Sequence, residues 1–144
     1  MKTRRQARVL ALEALFEVDS VNHPPDLVLR QRLEAEPLPA AGQVFASHLV
    51  KGVLEHLPEL DKTIEAIATE WPLAQMAIVD RNILRIAMYE ITVDRQTPVK
   101  VVINEAVELA KRFGSDSSRR FVNGVLGTLV SNRDLAPARR SKTS

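Results

Sequence analysis

Residues 74–93 read AQMAIVDRNILRIAMYEITV. Met76, Ile78, Val79, Ile83, Leu84, Ile86, Ala87, Met88 and Ile91 put apolar groups on nearly every side of a helix that turns about 100° per residue. A helix apolar all round belongs in a core, packed by other helices on several faces. Asp80, Arg81, Arg85 and Glu90 interrupt it, and ion pairing is their expected role: Asp80 with Arg81 or Arg85, Arg85 with Glu90, or either with a neighbouring helix. The stretch predicts one central helix over 74–93.

The flanking sequence supplies the helices to pack around it. Toward the C-terminus, Ile103, Ala106, Val107 and Ala110 form a stripe over 99–112, and Phe113-Gly114 supplies a stop. Ser115 or Asp116 is the expected cap of a last helix whose core arc is Phe121, Val122, Val125, Leu126 and Leu129. Gly124 and Gly127 lie away from that arc and are expected to admit a neighbouring helix. Toward the N-terminus, Leu60, Ile64, Ile67 and Ala68 repeat up to the corner at Trp71-Pro72. Before them, 41–57 carries Phe45, Leu49 and Val53 on one stripe and ends at Pro58. A helix from Asp26, its candidate N-cap, runs to Pro37, and the first helix covers 3–20 with Ala7, Leu10, Ala11, Ala14, Leu15 and Val18 facing the core. About seven helices result, giving an all-α domain over 1–136 in two packed halves, roughly 1–70 and 71–136, with a disordered basic tail at 137–144.

Composition agrees with this class. Aromatic residues make up 4% of the 144 residues and glycines number 5, too few for the turns and cross-strand pairs of most β architectures. With no cysteine, a disulfide framework, thiolate metal sites and a cysteine nucleophile are excluded, and a reducing cytoplasm is the expected setting. The N-terminal segment lacks a signal peptide's unbroken apolar run, and nothing in the chain reaches the roughly 20 apolar residues of a membrane span.

Charge is distributed unevenly. Residues 1–8 carry Lys2, Arg4, Arg5 and Arg8 with no acid, and residues 133–144 sum to +3; against a total of +2, residues 9–132 sum to −5. Basic ends suit an anionic polymer, and an acidic body suits a basic protein. On the first helix, Arg5, Arg8, Val9, Leu12 and Phe16 gather opposite the core stripe. Cations attract phosphate and an aromatic can stack an unpaired base, which favours single-stranded RNA or DNA over duplex, although a core role for Phe16 fits its position equally well. Ser117, Ser118, Arg119 and Arg120 form a second cluster at the start of the last helix, where backbone N–H groups also suit phosphate.

Catalytic patterns are poor. His48 and His56 lie eight apart on one helix, too far for the usual shared metal, and His23 sits in a Pro-rich loop. The glycines lack the spacing of a phosphate loop, and the pairs Glu13/Glu17 and Glu105/Glu108 read as solvated helix faces. No enzyme activity, metal or cofactor is expected. Asn104, Glu105 and Asn123 are read as helix caps or interhelical hydrogen bonds.

The stretches LVKGV (49–53), ELD (59–61), DRNILRIAMYE (80–90), PVKVVINEAVELAK (98–111), FG (113–114) and FVNGVL (121–126) together resemble the NusB family, in order and over roughly residues 3–132. The resemblance implies an all-helical fold in two packed halves. It also implies binding to the boxA element of nascent ribosomal RNA together with the ribosomal protein NusE, within the RNA polymerase antitermination complex. The same domain occurs at the N-terminus of ribosomal RNA cytosine methyltransferases, but these need a cofactor-binding domain and a nucleophilic cysteine. The stand-alone type of antitermination factor is therefore expected. Carried over by position, the RNA-contacting residues are Arg4, Arg5, Arg8 and Phe16 of the first helix and Ser117, Arg119, Arg120 and Phe121 of the last. Some relatives have an acid at the position of Ser117, where this chain places it one residue earlier, at Asp116. Asp80 matches a partner-facing acid, with an internal pair to Arg81 as the competing reading. A protein-interaction module without RNA selectivity is the alternative function, and apolar helix faces leave a homodimer open.

Overall fold

The computed structural model describes residues 2–132, and the tail expected over 137–144 lies outside them. The described residues form helices joined by short turns, with no strand among them. The chain divides into two compact units, Met1–His56 and Leu57–Ser144. The division falls before Leu57, so the helix grouped by sequence with the N-terminal half packs with C-terminal elements.

In the first unit α1 (Lys2–Val21) packs along α3 (Ala40–Glu55) and against α2 (Pro25–Ala35). Its core joins Ala7, Leu10, Ala11, Ala14 and Leu15 of α1 to Val28 and Leu29 of α2 and to Phe45, Ala46, Leu49, Val50 and Val53 of α3. The face expected to be unclaimed is only partly so: Arg8, Val9 and Leu12 are buried as well. Helix α1 is thus covered on more of its circumference than its apolar stripe alone predicts. It ends at Asn22, whose φ of 60° is the left-handed conformation that Asn tolerates, and Asn22 N donates to Val18 O at 3.0 Å. Pro24 and Pro25 then start α2, with Pro25 in the first helical position, where its missing N–H costs nothing. Asp26 lies inside the first turn and does not cap, but its charge favours the positive helix end. Arg32 of α2 donates to Glu17 Oε1 of α1 at 3.1 Å, and His23 Nδ1 lies 2.7 Å from Glu17 Oε2, so one carboxylate ties the turn and α2 to α1.

In the second unit α5 (Ile78–Met88) packs against α4 (Leu57–Ile67), α6 (Val99–Phe113) and α7 (Ser118–Ser131), the central position its apolar sequence demands. The expected helix over 74–93 is divided. Leu73–Gln75 form a 3₁₀ turn, and Met76 and Ala77 are extended, with ψ of 147° and 136°. At the other end the helix widens into π geometry over Tyr89–Asp94 and stops at Arg95, which has φ 59° and donates its N–H to Glu90 O at 2.9 Å. Arg85 pairs across to α4, with Nε and Nη2 on the two carboxylate oxygens of Asp61 at 2.8 and 2.9 Å. Its Nη1 donates to Asn82 Oδ1 at 3.1 Å. These bonds occupy the guanidinium of a buried residue in bidentate geometry.

The buried stripe of α6 is Val102, Glu105, Ala106, Leu109 and Ala110, rotated from the predicted one, with Ile103 and Val107 at its edges. Glu105 is buried, as an interhelical role requires, whereas Asn104 and Asn123 are exposed. Gly124 and Gly127 admit no neighbour: a Cβ at either would meet nothing within 4 Å. The close approach is at Gly114, where a Cβ would lie 2.5 Å from Ser118 Cβ and 2.9 Å from Ala110 O.

Candidate nucleic-acid interface

The two groups of residues expected to meet RNA lie in different units. In the first, Arg4 and Arg5 are exposed on the opening turns of α1. Phe16 is 38% exposed, and the rise of the helix places it about 16 Å along α1 from Arg5 on nearly the same face. Arg8 differs from the expectation, being only 2% exposed. Its guanidinium carbon lies 5.1 Å from the centroid of the Phe45 ring, and that of Arg4 lies 4.1 Å from the same centroid. Delocalised guanidinium groups stack well on an aromatic face, so burial of Arg8 retains a favourable electrostatic environment. Phe45 was legible as a core position of α3; its contact with two arginines of α1 depends on a helix pairing that periodicity does not specify.

In the second unit the turn from Gly114 to Ser117 sets up the start of α7. Ser118 is buried, accepts a hydrogen bond from Ser115 N at 2.9 Å through its Oγ, and lies 3.2 Å from Ser115 Oγ. That role fixes Ser118 as structural. Ser117 precedes the helix, in place of the caps expected at Ser115 or Asp116, and makes no side-chain capping bond. Ser117, Arg119 and Arg120 are exposed around this helix end, where N–H groups and the helix dipole favour an anion.

Ser117, Arg120 and Phe121 also line a cleft of about 470 Å³ that reaches Asp80. Trp71 and Met76 complete its apolar wall, and Arg119 stands outside it. Trp71 reads in the sequence only as a corner beside Pro72; the break of α5 at Met76-Ala77 is what brings this segment to the cleft. Phe121 is half-buried. Asp80 is 9% exposed, and its Oδ1 is buried with no hydrogen-bond partner among the described residues. Arg81 sends Nη1 to Leu73 O at 3.1 Å, and Arg85 is held by Asp61 and Asn82. A buried carboxylate oxygen without a donor is costly, and an incoming donor relieves the cost.

Glu17, next to Phe16, has its carboxyl held below the ordinary value, first by the His23 hydrogen bond and then by Arg32, against the opposing effect of burial. No group of three or more His, Cys, Asp or Glu among the described residues converges as a metal site would require. No described helix is long and apolar enough to cross a membrane.

Comparison with known proteins covers both units. The model of the NusB family matches residues 5–131. Transcription antitermination protein NusB of Roseiflexus castenholzii is 55% identical over 130 residues, which is 89% of this chain and 92% of the relative. The structure of T. maritima NusB superimposes with a TM-score of 0.83 at 32% identity, covering 89% of this chain and 90% of the other. A crystal structure of antitermination factors NusB and NusE in complex with dsRNA gives a TM-score of 0.83 at 25% identity, covering 91% and 98%. With the family match running over residues 5–131, from the first turn of α1 to the end of α7, and a relative 55% identical over 89% of the chain, the chain belongs to the NusB family.

Proposed function

We propose that this chain is a transcription antitermination factor that binds boxA-type RNA of nascent ribosomal transcripts. It acts in the cytoplasm with the ribosomal protein NusE, as part of the RNA polymerase antitermination complex, and needs no cofactor or catalytic group. The observation that carries the reading is the face of α1 that exposed Arg5 shares with the part-exposed ring of Phe16, with exposed Arg4 on the adjoining side. Arginines neutralise phosphates while the ring stacks a base. A relative was crystallised with NusE and double-stranded RNA; the preference for single strands in this chain rests on Phe16. Ser117, Arg119 and Arg120 provide a second phosphate-binding group, with Phe121 at its edge. Asp80 meets a donor of the protein partner, for which its unpaired Oδ1 is the supporting observation.

Arg8 contributes from beneath the surface, so charge reversal at Arg8 would disturb the fold and test nothing about RNA. Arg4→Glu with Arg5→Glu is the informative change. RNA affinity should fall by at least about tenfold at low salt, because two attractive charges become repulsive, while circular dichroism stays unchanged. Unchanged affinity at retained helicity would contradict the RNA face.

A further inference from the structure

We infer that Gly42 and Phe45 of α3, with buried Arg8 of α1 packed on the same ring, form a seat that positions Arg4 for phosphate, making Phe45 a positioning residue for RNA binding. The inference rests on the RNA-binding reading above and assigns a role to a ring that cannot itself reach RNA. Phe45 is buried, so no base can stack on it. Its ring instead receives two cations from successive turns of one helix, Arg4 at 4.1 Å and Arg8 at 5.1 Å from the centroid. Residues four apart lie on the same side of a helix, which lets one ring serve both.

The two cations are not equivalent. Arg8 is buried and Arg4 exposed, so Arg8 forms the inner and Arg4 the outer part of the pair. The ring restricts the long side chain of Arg4, which lowers the ordering cost of contacting RNA. Gly42, one turn before Phe45, gives an independent sign that this end of α1 is set in place by α3. A Cβ there would lie 2.8 Å from Thr3 Cγ2 and 3.3 Å from Leu38 Cβ. A side chain at position 42 would therefore press on the turn that carries Arg4.

The test is a double-mutant cycle with Phe45→Leu and Arg4→Gln, read as RNA affinity at several salt concentrations, with Phe45→Tyr as the conservative variant. Phe45→Leu should weaken RNA binding about two- to fivefold and flatten its salt dependence by about one phosphate contact. It should cost nothing further when Arg4 is already Gln, and Phe45→Tyr should bind as the unsubstituted chain does. In the free protein, the δ-methylene protons of Arg4 should be shielded by the ring and lose that shielding in Phe45→Leu. A loss of affinity that is the same with Arg4 or Gln at position 4 would overturn the inference, since a general packing defect behaves that way. Unshielded Arg4 protons in the unsubstituted chain would overturn it too. Failure of the unsubstituted chain to bind RNA would instead overturn the functional reading, and the proton shifts would still decide whether Phe45 holds the arginines.

Discussion

Phe16 occupies a place on the helical wheel that serves a core and a base equally well, and its 38% exposure leaves part of the ring open to solvent. Truncation to Ala removes a ring with one side in solvent, so Phe16→Ala should weaken RNA binding by about 1–3 kcal/mol. Its melting temperature should stay within a few degrees of the unsubstituted protein; a collapse of stability with unchanged RNA affinity would assign the ring to the core. Beside it, the Glu17 carboxyl is held below its ordinary value by His23 and Arg32. The unfolded chain therefore takes up this proton more readily than the folded one. The stabilisation is fully present above the ordinary carboxylate range and is lost as pH falls through the lowered folded value. Carbon-detected NMR titration should give a Glu17 midpoint below 4.5 that rises toward that value in His23→Ala, and an unmoved midpoint would remove His23 as the cause. The sequence places Glu17 and His23 six apart, but it takes the Asn22 turn to bring them within 2.7 Å.

At the scale of elements, apolar periodicity located the seven α-helices of the described residues because their buried positions recur at helical spacing, which is written in residue order. It misjudged what happens at their ends. A uniformly apolar run such as 74–93 contains no mark of where hydrogen bonding changes from 3₁₀ to extended to α, so the break at Met76-Ala77 was not legible. Glycines show the same limit in a form that can be measured. Gly114 sits where a Cβ would strike Ser118 and the Ala110 carbonyl, whereas Gly124 is exposed with open space around it. Gly124→Ala should stabilise the protein by about 0.5–1 kcal/mol, since Ala is the better helix former. Gly114→Ala should destabilise it by roughly 1–3 kcal/mol through overpacking and should weaken RNA binding by displacing Ser117. Chemical denaturation of the two variants checks both signs; equal effects would show that the turn before α7 is not held by close packing.

Across the whole chain, the +4 of residues 1–8 against the −5 of residues 9–132 divides the partners by chemistry, an anionic polymer for one and a basic protein for the other. The sequence alone offered candidate RNA-facing residues by type and by family motif, and of these Arg4, Arg5, Phe16, Ser117, Arg119 and Arg120 are exposed. Arg8 departs from its expected exposure because a helical wheel of α1 cannot foresee the ring of Phe45. Asp80 could be read as acidic and partner-facing, but not as the unpaired carboxylate of a cleft, since that depends on where Arg81 and Arg85 send their guanidinium groups. The most direct measurement is the anisotropy of a labelled boxA-type RNA and of a scrambled control, each with and without NusE, at two salt concentrations. Selective binding of boxA, strengthened by NusE and weakened by salt, is expected. Equal and feeble binding of both RNAs under all conditions would contradict RNA recognition and leave a protein-interaction module.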